Sequence, residues 1–148
     1  MNQTELQDEV KILRGQVHCY NANLRRIQRL TNLLIELETV QQSTGSGLIV
    51  ISKDSPSGNG EQTRLQLIED LEFCRREIES TQQSVKRVEK FLRMISVDDQ
   101  KLMRAFMKGR IYRELADDFG YTTDGVYRRI TRLMASHIIK NEKRSRIG

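Results

Sequence analysis

The stretch that decides the fold is Arg113-Glu114-Leu115-Ala116-Asp117-Asp118-Phe119-Gly120-Tyr121-Thr122-Thr123-Asp124-Gly125-Val126-Tyr127. It reads as two helical segments hinged at a glycine. Leu115 and Phe119 lie four apart and share one helix face. Ala116 is small where a following helix has to cross closely. Gly120 supplies the positive φ of a tight turn, which other residues resist. Thr122 has the hydroxyl that caps a new helix. Val126, Ile130 and Leu133 then recur at helical spacing as an inward face. The pattern predicts a helix-turn-helix. The outward face of its second helix holds Thr123, Asp124, Tyr127, Arg128, Thr131 and Arg132, and such a helix enters the DNA major groove.

The residues just before this stretch extend the domain. Ser96 caps a helix over Val97–Lys108, with Asp98 and Asp99 in the first turn where the helix dipole favours them. Gly109 stops that helix. A short helix over Ile111–Phe119 and a third from Thr123 to about Lys140 complete it. Beyond Lys140 a frayed basic tail is expected to touch phosphates through Lys140, Lys143, Arg144 and Arg146. Met103, Met107 and Met134 are expected core fillers. His18 and His137 read as ordinary surface or boundary residues.

Charge points to the same region. The chain has 148 residues and a net charge of +5. Residues 1–122 are balanced, whereas residues 123–148 carry seven basic and two acidic side chains. A localised basic excess is the footprint of a polyanionic partner. Arg128 and Arg132, one turn apart, are expected to meet guanine edges or phosphates. The set expected to contact DNA is Thr122, Thr123, Asp124, Tyr127, Arg128, Thr131, Arg132, Lys140, Lys143 and Arg144.

Residues 1–95 have a different pattern. Leu6, Val10, Leu13, Val17, Tyr20, Leu24 and Ile27 alternate at spacings of four and three, a heptad seam. One helix from about Thr4 to Gln41 accounts for it. A second seam runs through Leu67, Leu71, Cys74, Ile78, Thr81, Val85, Val88, Leu92 and Ile95. Between the two, residues 43–60 hold Gly45, Gly47, Gly58, Gly60 and Pro56 and read as a long flexible loop. Its Leu48–Ile51 run is open between a short strand, packing on the hairpin and contact with a partner. The expected architecture is all-α. Residues 1–95 form a long antiparallel helical hairpin, or coiled coil, and residues 96–148 a three-helix domain. A two-helix hairpin has little core, so pairing with further copies through residues 1–95 is expected.

In a hairpin centred near residue 51, Cys19 and Cys74 fall too far apart to be bridged. Their spacing gives no zinc motif. There is no Ser/His/Asp set, phosphate loop or metal cluster, so neither catalysis nor a cofactor is expected. The longest apolar run, Leu48–Ile51, is far short of the ~20 residues of a membrane span. The N-terminal residues lack a secretory pattern. A cytoplasmic location follows as the expectation.

The segment Val97–Leu133 resembles region 4 of sigma factors. In particular it looks like the small RinA/ArpU-type transcriptional regulators found in phages and prophages of Gram-positive bacteria. The residues that carry the likeness are Tyr112–Met134 and the preceding helix Gln100–Gly109, in the order hairpin, glycine-rich segment, helix, DNA-binding motif. The resemblance covers the last third closely and the rest in architecture. It implies a late-gene activator in the bacterial host cell that contacts RNA polymerase. The chain departs from the pattern in one place: the apolar step after Val126 falls at Ile130 rather than 129, which sets Arg129 near the edge of the core. Two other readings compete. A phage small terminase subunit also joins a DNA-binding motif to helical hairpins, usually in the opposite order. A coiled-coil adaptor would use the basic helix to hold an acidic protein.

Overall fold

A computed structural model of the chain describes residues 1–52 and 59–147, with side chains over 1–43 and 63–145. Among the described residues there are six helices and no strand: α1 (Gln3–His18), α2 (Tyr20–Ser52), α3 (Asn59–Arg93), α4 (Val97–Met107), α5 (Tyr112–Phe119) and α6 (Thr123–Ile147). None of them is long and apolar enough to cross a membrane. The expected all-α class is observed, and α2 and α3 pack antiparallel.

Three element boundaries differ from the sequence reading. The single helix expected over 4–41 is divided at Cys19. Backbone bonds continue across the division, from Cys19 N to Gly15 O at 2.9 Å and from Asn23 N to Cys19 O at 2.8 Å. The division is thus an irregularity in one turn rather than a loop. Second, the loop expected at 43–60 is largely helix. α2 runs through Gly45 and Gly47 to Ser52, and α3 begins at Asn59. A lone glycine weakens a helix by about 1 kcal/mol without ending it. Residues 53–58, including Pro56 and Gly58, lie outside the described residues. Third, α6 does not stop near Lys140 but continues to Ile147. No glycine or proline interrupts it after Gly125. Lys140, Lys143 and Arg144 therefore project from a helix rather than a frayed tail.

The chain divides into two compact units, Leu24–Gln83 and Met1–Asn23 with Ser84–Gly148. In the first, the second seam supplies the buried side chains Leu71, Cys74 and Thr81. Ion pairs link the helices, Arg26–Glu77 at 3.0 Å and Arg75–Glu38 at 3.4 Å. The first pair has the register of a hairpin centred near residue 51. Being exposed, such pairs contribute little energy and serve more to set register. Leu33, Ile35 and Val40 on α2, and Leu65, Ile68 and Phe73 on α3, remain exposed.

The other unit is built on a single core. α1 contributes Val10, Leu13 and Val17, and the end of α3 contributes Val88 and Phe91. α4 adds Leu102, Met103 and Phe106; α5 adds Leu115 and Ala116; α6 adds Val126, Ile130, Met134 and Ile138. The first seam thus serves this core as far as Val17, with Tyr20 packed at its margin, while Leu24 is exposed. Cys19 and Cys74 are both free thiols.

Candidate nucleic-acid interface

Local capping sets the three C-terminal helices. Ser96 accepts from the Asp99 amide at 3.2 Å and starts α4. Gly109, at φ +91°, follows its end. The Glu114 carboxylate reaches back to the Ile111 amide at the start of α5. Gly120 closes α5 in the left-handed region, φ 74° and ψ 27°, and Tyr121 N bonds Ala116 O at 3.0 Å. Thr122 Oγ1 then accepts from Gly125 N at 3.0 Å and opens α6. A Cβ at 125 would sit 2.9 Å from Thr122 Oγ1, so a side chain there would need the hydroxyl to shift.

Buried side chains of α6 follow Val126, Ile130, Met134 and Ile138. Leu133, expected on the inward face, is only partly buried. Arg129 has a definite task that the sequence reading did not foresee. Its Nε and Nη2 bond the two oxygens of Asp99 at 3.0 and 2.8 Å. Asp99 is 7% exposed and also accepts from the Ser96 hydroxyl at 2.9 Å. An aspartate expected to serve only the α4 dipole therefore clamps α4 to α6. A forked guanidinium suits such a two-oxygen contact, which an ammonium cannot reproduce.

The expected outward face is split in two. Arg14 of α1 donates to Tyr112 Oη at 2.7 Å and to Thr131 Oγ1 at 2.5 Å. The same guanidinium lies 4.6 Å from the centre of the Tyr127 ring. Tyr127 also meets Tyr112 edge to face, with centroids 5.7 Å apart. Tyr127 and Thr131 are thus held by α1 along one flank of α6. Thr122, Thr123, Asp124, Arg128 and Arg132 stay exposed, away from that contact. Among the described residues, Arg128 and Arg132 form neither an ion pair nor a side-chain hydrogen bond, and Asp124 does not pair with Arg128. Lys140, Lys143 and Arg144 are exposed farther along the helix.

His137 is not a surface residue. It is 3% exposed and packs edge-on to Phe91, with ring centroids 5.3 Å apart. Asn141 Nδ2 lies 3.0 Å from its Nε2. Burial, then the nearby charges of Lys90, Arg87, Arg144 and Lys140, pushes its pKa below the ordinary histidine value. Among the described residues no cluster of His, Cys, Asp and Glu could hold a metal ion. No protein-family model matches the chain, and no match was found among curated proteins or solved structures.

Proposed function

We propose that α5 and α6 form a helix-turn-helix and that the chain is a sequence-specific, DNA-binding transcription regulator, a late-gene activator of a phage or prophage. The observation that carries this reading is the state of Arg128 and Arg132. Both guanidinium groups project from the first half of α6 with no protein partner among the described residues, on a helix fixed by Asp99–Arg129 and by Arg14. Cations left unpaired on a rigid helix suit a polyanion, and the N-terminal part of a recognition helix is the part that reaches base edges. Arg128 and Arg132 would read guanines or grip phosphates. Thr122, Thr123 and Asp124 would lie beside the entering strand. Lys140, Lys143 and Arg144 would add sequence-independent affinity. Tyr127 and Thr131, engaged by Arg14, would act mainly by fixing the pose of α6.

Residues 96–148 would carry the DNA contacts, and residues 1–95 the self-association. The exposed apolar side chains of the α2–α3 hairpin support the second assignment, because isolated apolar faces of that kind favour pairing. The resemblance to phage regulators adds RNA polymerase as a partner of the DNA-bound form. The test is a binding titration on the phage's own late-promoter fragments against random duplexes at several salt concentrations. Preferential binding that persists at moderate salt supports the reading. Equal affinity for all duplexes overturns sequence-specific regulation.

A further inference from the structure

The sequence balance of residues 96–122 conceals a separation of charge. Arg110 pairs with Glu114 and Asp118, and Asp99 is taken by Arg129. Three of the segment's five acids are thereby engaged, two of them by a single arginine. Lys101, Arg104, Lys108 and Arg113 form no ion pair among the described residues. Two of these cations, Arg104 and Lys108, converge with Arg93 of α3 on an open groove of about 490 Å³. Glu89 also lines it, beside Tyr20. Three cations against one carboxylate leave the groove positive.

Its inner surface is of another character. Leu92 and Met107, half-buried against the core, give the groove an apolar lining. Two side-chain amides brace it. Asn21 Nδ2 donates to Met107 O at 3.3 Å, and Gln100 Nε2 donates to Leu92 O at 2.9 Å. The groove lies on the side of α4 turned from α6. Leu102, Met103 and Phe106 point into the core shared with α6, and Asp99 reaches Arg129, whereas Arg104 and Lys108 project from the opposite side of the helix. No described residue of α6 lines it.

We propose that this groove is a docking site for an acidic protein segment that carries an apolar side chain. The acids would meet Arg93, Arg104 and Lys108, and the apolar side chain would rest on Leu92 and Met107. Charge complementarity of this kind sets partner choice and orientation. A DNA duplex fits poorly, because its dense row of phosphates would be brought against Glu89 and would leave the apolar lining unused. A ligand held here leaves the exposed side of α6 open, so its binding does not depend on what α6 holds.

The test uses the full chain and fluorescence anisotropy. The probe is a labelled peptide of Glu, Asp and Leu, with a control in which Gln and Asn replace the acids. A labelled duplex is titrated in parallel. The acidic peptide is expected to bind and the control not to. Arg104→Glu with Lys108→Glu should weaken the peptide by about tenfold or more, the scale of two partly exposed charge contacts. Arg104→Gln with Lys108→Gln should weaken it less, and thermal melting should show both variants folded. Affinity for the duplex should stay as it was. Absence of peptide binding to the unmodified chain overturns the proposal. So does loss of duplex affinity with peptide affinity unchanged, which would make the groove a nucleic-acid contact.

Discussion

Arg129 and His137 sit two turns apart on α6 and show opposite ways of placing a basic group near a core. Arg129 is held through a buried carboxylate, Asp99, in two-oxygen geometry. Arg129→Ala would leave that carboxylate with only the Ser96 hydroxyl. It should lower unfolding stability by about 2–3 kcal/mol, the scale for hydrogen bonds to charged groups. Urea denaturation measures this, and a loss within about 0.5 kcal/mol, typical of an ordinary surface substitution, would show the clamp to be idle. At His137 burial instead disfavours the charged form. Its folded pKa is lowered by burial and by Lys90, Arg87, Arg144 and Lys140. The unfolded chain therefore takes up a proton at a higher pH than the folded chain does. Stability should be full above the ordinary histidine pKa of about 6.5 and fall as the pH drops from there toward the lowered folded value. Urea midpoints across that window should decline for the natural chain and decline less for His137→Gln. Equal slopes would remove His137 from the account.

Elements legible in the sequence are those fixed by neighbours in the chain. Ser96, Gly109, Gly120 and Thr122 act within a few residues, and each is found at the helix end where it was expected. The heptad seams also show in the buried residues of α1 and α3. Contacts between distant residues were not legible. Arg14 to Thr131 spans 117 positions and Arg129 to Asp99 spans 30, and no local pattern marks either. For that reason the outward face of α6 read as one surface of six residues, although α1 holds two of them. α1 also carries a prediction at this scale. It places Val10, Leu13 and Val17 in the core that α4, α5 and α6 share with Val88 and Phe91. A fragment of residues 96–148 lacks all five of these side chains. It should show no cooperative thermal transition, whereas the full chain should show one. A sharp transition for the fragment would mean that α1 and α3 are dispensable to this core.

For the whole molecule, the net charge of +5 is better described by pairing than by position. Three of the five acids in α4 and α5 are engaged, two by Arg110 and one by Arg129, and cations remain exposed in two places: along α6 and around the groove beside Arg104. The two sets face different sides of α4, and the account gives them different partners, DNA for the first and an acidic protein segment for the second. The central claim is that the exposed arginines of α6 bind DNA. It is tested most directly by measuring the affinity of the full chain and of Arg128→Ala with Arg132→Ala for one late-promoter duplex over a range of salt. The account predicts an affinity loss of about tenfold or more, a salt dependence shallower by roughly one to two in logarithmic slope, and unchanged thermal stability. Equal affinity and equal slope for the two proteins would contradict it.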